Sequence, residues 1–209
     1  MTTSLTASIG SIYAHRGCWS SEVEMNSIDA FHLAHANGYS IETDIRQKDG
    51  KVVISHDSPT SSESLVLEKL MGLQTSFAIN IKEDGLHRFL VDKIEWIEAS
   101  NSFVFDGSIP EMYRFRKLGI PHALRLSEFE RTIAWKTHAI WLDSFNEDWW
   151  INDESILNLF ERSKVVVVSP ELHGRDPRFV WDFLANMRAS GRFEFSICTD
   201  KPNELQSWL

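Results

Sequence analysis

Short apolar runs alternate with amphipathic stretches along this chain, and that alternation limits the fold more than any other feature of the sequence. Runs rich in β-branched and aromatic residues, such as Ile12–His15 and Val165–Ser169, are followed by stretches with helical spacing of apolar residues. Strands separated by helical crossovers form a parallel sheet with helices on its faces. We therefore expect an α/β fold.

We count eight such strand–helix steps if Val52–His56, which follows the Asp49-Gly50 turn, is a small β-hairpin after the second strand. The predicted strands are Ile12–His15, Ile41–Arg46, Phe77–Lys82, Phe103–Phe105, His122–Leu126, Ala139–Asp143, Val165–Ser169 and Phe193–Cys198. The predicted helices are Asn26–Ala36, with Asn26 as N-cap, then Leu86–Ala99, Pro110–Leu118, Glu154–Arg162, Pro177–Ser190 and a last one opened by Pro202. Eight units predict a compact (β/α)₈ TIM barrel, whereas the rival open doubly wound sheet needs fewer strands.

Length and composition are consistent with one barrel domain over residues 1–209. The chain is close to the lower limit of about 200 residues for this fold, so its loops should be short. The 21 Lys and Arg residues are outnumbered by 30 Asp and Glu residues, giving a net charge of −9. An acidic chain lacks the positive field that phosphate backbones attract, so we expect no nucleic-acid partner.

Cellular location is indicated by the cysteines and by the N-terminal sequence. Cys18 and Cys198 are too few for a disulfide framework and are interpreted as free thiols in a reducing compartment. The first ten residues have no signal-peptide pattern, and no apolar run reaches the roughly 18–20 residues of a transmembrane span. The expectation is a cytoplasmic protein whose oligomeric state stays open.

Paired carboxylates suggest a metal site. Glu42 and Asp44 lie two residues apart on the second predicted strand, so their side chains point to the same side. Asn80 and Lys82 share a face of the third predicted strand in the same way. Two adjacent carboxylates repel each other unless a cation or a proton lies between them, and a hard divalent cation with oxygen ligands suits them.

Histidines and basic residues occur near the same strand ends. His15-Arg16-Gly17 closes the first strand and His56-Asp57 follows the hairpin. In a parallel barrel the strand ends meet at one rim, where reacting groups gather. Two imidazoles can act as general acid and base, and Arg16 and Lys82 can bind an anionic group. These residue types together suit cleavage of a phosphodiester.

The N-terminal quarter resembles a known family, the glycerophosphodiester phosphodiesterases. The segments that carry the resemblance, in order and spacing over about the first 57 residues, are Ala14–Gly17, Asn26–Phe31, Ile41–Ile45 and Lys48–Asp57. The resemblance implies a barrel that hydrolyses a small glycerophosphodiester-like or lipid-derived phosphodiester with one divalent cation, Mg²⁺ or Ca²⁺. It implies an acid–base pair of His15 and His56, metal ligands Glu42 and Asp44, and phosphate contacts from Arg16 and Lys82.

Some features depart from the family pattern. Asn80 stands where the family usually has a third carboxylate ligand, so either its amide oxygen binds the metal or Glu171 or Asp106 replaces it. The segment Ser58–Thr75 is too short for the inserted subdomain of many members. An alternative is therefore a catalytically weak barrel that binds a phosphorylated head group or sugar phosphate. A metal-free lyase is disfavoured because Glu42 and Asp44 are present, and the choice between hydrolysis and release of a cyclic phosphate stays open.

Overall fold

A computed structural model describes residues 10–59, 64–191 and 193–209. Within these residues one sheet has the strand order β5-β4-β2-β1-β9-β8-β7-β6, and β3 pairs only with β2. The strands are β1 (Ile12–His15), β2 (Ser40–Lys48), β3 (Lys51–Ile54), β4 (Phe77–Ile81), β5 (Phe103–Phe105), β6 (Ala123–Leu126), β7 (Ala139–Leu142), β8 (Val165–Val168) and β9 (Ser196–Thr199).

The eight strands of the main path form a nearly closed parallel barrel, as the sequence predicts. Every pair along the path is parallel, whereas β3 is antiparallel to β2 and forms the expected hairpin. Between β5 and β6 a single parallel bridge joins Val104 to His122. The TIM-barrel prediction is confirmed.

The helices follow most of the predicted positions but are shorter. They are α1 (Ile28–Ala36), α2 (His87–Leu90), α3 (Ile94–Ala99), α4 (Ile109–Leu118), α5 (Glu154–Leu157), α6 (Arg178–Ala189) and α7 (Pro202–Trp208). The predicted helix over 86–99 is divided by a 3₁₀ turn at Val91–Lys93, and α5 continues as a 3₁₀ turn, Asn158–Glu161. The connection over 127–138, between β6 and β7, contains no helix.

The N-cap of α1 is Ser27 rather than the predicted Asn26. The Ser27 hydroxyl accepts a hydrogen bond from the backbone N–H of Ala30 at 3.2 Å. Asn26 has a φ of 57°, and its amide group bonds to Thr43 and Asp44 on β2. The amide is therefore engaged by the barrel, and the next residue caps the helix.

Alternation along the strands divides the apolar side chains into an interior and an exterior core. The barrel interior is filled by a cluster that includes Tyr13, Phe105 and Trp141, and the rings of Phe105 and Trp141 stack with centroids 4.0 Å apart. Two larger clusters pack strands against helices on the outside. The free thiol of Cys198 lies in the interior cluster and that of Cys18 packs on an exterior one.

Among the described residues, no helix combines the length and the apolar character needed to span a membrane.

Candidate active site

The His15-Arg16-Gly17 turn starts the site because of its unusual backbone. Arg16 and Gly17 both have positive φ, 59° and 84°. A Cβ atom on Gly17 would lie 2.8 Å from the backbone of Ala30 in α1, so only glycine allows this approach. The turn directs the backbone N–H of Arg16 to Glu42, with 3.0 Å to its carbonyl oxygen and 3.3 Å to its Oε2.

Strand register brings the predicted polar residues to one level of the barrel mouth. In the parallel pairing His15 lies opposite Glu42, and Asp44 lies opposite Asn80. Glu42 and Asp44 are each 1% exposed. Residues two apart on a strand share a face, so these side chains stand above the apolar interior cluster that begins with Tyr13 and Ala78.

Asp44 lies between two cations. Its Oδ2 is 3.1 Å from Nε of Arg16, and its Oδ1 is 3.1 Å from Nζ of Lys82. Asn26 donates a further hydrogen bond to Oδ2 at 2.9 Å. Burial alone would raise the pKa of Asp44, but Lys82, the Asn26 hydrogen bond and Arg16 outweigh it and lower that pKa. Asp44 is therefore a stable anion in this site.

Glu42, two residues away, has the opposite electrostatic environment. Complete burial raises its pKa, and the negative charge of Asp44 adds to the effect. His15, Lys82 and Arg16 offset this only in part. The positive charges around Glu42 thus compensate its carboxylate less completely than those around Asp44 compensate that residue.

His15 is held by a residue at the other end of the chain. Its Nδ1 lies 2.7 Å from Oδ1 of Asp200, just after β9, and its Nε2 lies 3.8 Å from Oε2 of Glu42. Burial lowers the pKa of His15, but the carboxylates of Glu42 and Asp200 more than compensate and raise it. The imidazole is therefore a proton-accepting group with a fixed orientation.

His56, the other predicted acid–base residue, lies just beyond β3 and away from this layer of the barrel. Its Nδ1 is 2.9 Å from Oδ1 of Asp57, and its side chain is 44% exposed. It lines a cavity of about 560 Å³ together with Arg16 and Asn26. Arg16 thus links the cavity of His56 to the ion pairs of Asp44.

The oxygen atoms at the mouth fit a hard divalent cation. The Oδ1 atom of Asn80 is buried and has no hydrogen-bond partner, and the buried carboxyl group of Glu42 has its pKa raised by desolvation and by the charge of Asp44, so a cation beside it would stabilise its ionised form. In the part of the chain that the structure describes, no three His, Cys, Asp or Glu side chains cluster in a way that could hold a metal ion. The amide oxygen of Asn80, which lies opposite Asp44 in the strand register, is a further oxygen atom beside Glu42 and Asp44.

The two alternative third carboxylates, Asp106 and Glu171, have other partners. Asp106 forms an ion pair with Arg125 through both of its oxygens. Glu171 accepts hydrogen bonds from the hydroxyls of Ser169 and Thr199 and from the backbone N–H of Asp200 at 3.2 Å. Both carboxylates therefore already have hydrogen-bond or ion-pair partners in the protein.

The opposite side of the mouth carries a second polar network. Nη1 of Arg125 lies 3.2 Å from Asp143, whose other oxygen is 2.7 Å from Nε2 of His173. The ring of Phe145 packs against Arg125 and His173. Its centroid lies 5.1 Å from the guanidinium carbon of Arg125 and 4.6 Å from the centroid of the His173 ring. Arg125 also pairs with Asp106, which accepts a hydrogen bond from the side-chain amide of Asn80 at 3.4 Å. This network therefore contacts one of the predicted metal ligands.

The segment that carries these residues is similar in sequence to a known family. Residues 15–97, which contain His15, Glu42, Asp44, Asn80 and Lys82, match the sequence model of the glycerophosphoryl diester phosphodiesterase family. The expected family resemblance is confirmed. No curated protein matches the chain significantly.

The fold is also that of a solved member of this family. A glycerophosphoryl diester phosphodiesterase from Parabacteroides distasonis ATCC 8503 superposes with a TM-score of 0.52 at 14% identity, covering 97% of this chain and 87% of that one. At this identity the likeness concerns the fold. The family match over residues 15–97 is what supports a phosphoric diester hydrolase.

The sequence of the first quarter of the chain does not predict the contacts of two residues of the site. Asp200 contacts His15 across 185 positions, and Asn26 bonds to Asp44 instead of capping a helix. A signal for Asp200 exists, since it follows the last strand and the last strand of a closed barrel neighbours the first. For Asn26, the sequence pattern is typical of a helix N-cap and therefore did not predict its hydrogen bond to Asp44.

Proposed function

We propose that this chain cleaves a small phosphodiester of the glycerophosphodiester kind, with one divalent cation and His15 as a proton-transfer group. The observation that carries the proposal is the position of Arg16 and Lys82 on either side of Asp44, in the layer that also holds His15 and Glu42. Two cations at the mouth of a barrel form a place for a phosphate next to an oriented imidazole.

The phosphate is bound by the donors that Asp44 leaves available. Arg16 uses its Nε toward Asp44, so the terminal nitrogens of its guanidinium can donate to phosphate oxygens. Lys82 uses one of three N–H groups toward Oδ1 of Asp44. Asp44 therefore orients both cations while the substrate supplies the remaining acceptors.

His15 takes the proton from the attacking oxygen. An ionised carboxylate can only accept hydrogen bonds, so the contact with Asp200 places the ring proton on Nδ1 and leaves the lone pair on Nε2. The attacking oxygen is water or a hydroxyl of the substrate next to the phosphate, the latter giving a cyclic phosphate first. A second acid protonates the leaving alcohol, and His56, in the cavity shared with Arg16, is the candidate.

A divalent cation, Mg²⁺ or Ca²⁺, would be held by Glu42, Asp44 and the amide oxygen of Asn80. Bound there, such an ion supplies Lewis-acid stabilisation of negative charge on the phosphate oxygens.

The proposal is tested with His15→Ala and His56→Ala, measured on bis(p-nitrophenyl) phosphate and, by ³¹P NMR, on a glycerophosphodiester. Each variant should lose metal-dependent cleavage by roughly 100-fold or more. His32→Ala, at an exposed position on α1, is the matched control and should keep the wild-type rate. Wild-type rates in both active-site variants would refute the acid–base pair.

The alternative is a barrel that binds a phosphorylated head group or sugar phosphate without turnover. It is favoured by one observation, the compensation of Asp44 by two cations of the chain itself. Calorimetric titration with Mg²⁺, Ca²⁺ and Mn²⁺ separates the two functions. No cation binding at millimolar concentration, together with retained binding of glycerol 3-phosphate and no cleavage, would select the binding function.

A further inference from the structure

The last strand and the loop after β8 form a support for His15. Asp200 accepts from Nδ1 of His15 at 2.7 Å, and the side chain of Asp200 is 24% exposed. The side chain is thus partly exposed and bound to the imidazole at one oxygen. Its position depends on what holds the backbone at residue 200.

Glu171 holds that backbone. One of its oxygens, Oε1, accepts both the hydroxyl of Thr199 and the backbone N–H of Asp200, the latter at 3.2 Å. Both donors belong to the end of β9, whereas Glu171 belongs to the 3₁₀ turn Pro170–His173 after β8. Glu171 therefore ties the ends of two neighbouring strands together at the point where Asp200 leaves the sheet.

Glu171 is itself anchored in the exterior core. Its Oε2 accepts from the hydroxyl of Ser169, and that hydroxyl accepts from the indole N–H of Trp181 at 2.8 Å. Trp181 lies on α6 and is 0% exposed. A continuous set of hydrogen bonds thus runs from a buried tryptophan to the imidazole of His15.

These contacts oppose a role for Glu171 as a metal ligand. The two carboxylate oxygens of Glu171 accept three hydrogen bonds, one each from Ser169, Thr199 and Asp200. A ligand carboxylate would have to leave this arrangement and release Asp200.

We propose, on the basis of the function proposed above, that Asp200 and Glu171 are positioning residues for His15. Asp200 fixes the imidazole tautomer with the proton on Nδ1 and the lone pair on Nε2. Glu171 acts through Asp200 by fixing the backbone from which that carboxylate extends. Neither residue contacts the reacting phosphate.

The test combines Asp200→Ala, Glu171→Ala and Glu171→Gln in the full chain. Glutamine keeps an acceptor for Thr199 and the Asp200 N–H, and its amide can donate to the Ser169 oxygen, so Glu171→Gln should behave as the wild type. Alanine at either position should lower kcat by roughly 10- to 100-fold with KM nearly unchanged, the usual cost of losing a residue that orients an imidazole. Glu204→Ala, an exposed carboxylate on α7, is the control.

The tautomer is read directly from the ¹⁵N and ¹H shifts of the labelled His15 ring. We expect Nδ1–H in the wild type and in Glu171→Gln, and a mixture of tautomers in Asp200→Ala and Glu171→Ala. Because this measurement needs no turnover, it tests the positioning roles even if the wild type cleaves no phosphodiester. If Glu171→Ala does not fold, Asp200→Ala and Glu171→Gln still provide the comparison.

Two results would overturn the inference. In one, Asp200→Ala or Glu171→Ala retains the wild-type tautomer. In the other, Glu171→Gln keeps the tautomer but weakens Mg²⁺ or Ca²⁺ binding tenfold or more, which would make Glu171 a ligand.

Discussion

The ammonium nitrogen of Lys82 lies 3.1 Å from Oδ1 of Asp44, and Nε of Arg16 lies 3.1 Å from the other oxygen of the same carboxylate. Asp44 is 1% exposed, while both cations reach the mouth of the barrel. One buried carboxylate thus determines where two cationic side chains stand.

Replacing Asp44 by asparagine should cost both stability and activity. The change removes the charge that compensates Arg16 and Lys82, and hydrogen bonds to charged groups contribute about 1.5–3 kcal/mol each. We expect the free energy of unfolding in urea at pH 7 to fall by about 2–4 kcal/mol and cleavage to be lost. Asp176→Asn, which breaks an exposed pair with Arg178, should change stability by less than about 1 kcal/mol. Equal stability losses in the two variants would contradict the prediction.

Restoring a carboxylate at position 80 should strengthen cation binding. Asn80→Asp adds a negative charge next to Asp44, its partner in the strand register. Cation affinity rises with the number of charged ligands, so the dissociation constant for Mg²⁺ should fall about tenfold in calorimetry. Asn152→Asp adds the same charge at an exposed position and should leave it unchanged. The idea fails if both variants bind Mg²⁺ like the wild type.

Ser27 and Asn26 are adjacent but should have separable effects. Ser27→Ala removes the N-cap of α1 and should lower the free energy of unfolding by about 1 kcal/mol with little change in kcat. Asn26→Gly keeps a residue that tolerates the φ of 57° but deletes the amide that bonds to Asp44. Asn26→Gly should lower kcat and should reduce the free energy of unfolding less than Ser27→Ala does. A larger loss of stability than in Ser27→Ala, with kcat unchanged, would instead identify Asn26 as the N-cap.

Glu111 should make the free energy of unfolding depend on pH. This fully buried carboxylate on α4 accepts from the backbone N–H of His87 at 2.9 Å and from Arg114 at 3.1 Å. Burial would raise its pKa, but the hydrogen bonds from His87 outweigh it and lower the pKa below its ordinary value of 4.5.

Because the folded-state pKa of Glu111 is below the unfolded value, its contribution is complete above about pH 4.5 and is lost as the pH falls through the folded-state pKa. Glu111→Gln should therefore be about 1–3 kcal/mol less stable than the wild type at pH 7, and this difference should shrink toward pH 3. Urea unfolding at both pH values measures it. A difference that stays constant with pH would exclude linkage to Glu111.

The sequence alone determined the barrel and which strand residues share a face, because both follow from local patterns. Alternating strands and helices specify a parallel sheet, and the period of two on β2 places Glu42 and Asp44 on one face.

Only the tertiary structure decided which groups are partners, because closing the barrel joins positions far apart in the chain. It brought Asp200 to His15 by pairing the last strand with the first. It also placed Glu171 against the end of β9 and paired Asp106 with Arg125. The spacing of these residues along the sequence predicts neither contact. Buried charges select their partners by proximity in a medium of low dielectric constant, and this proximity exists only after the strands have closed.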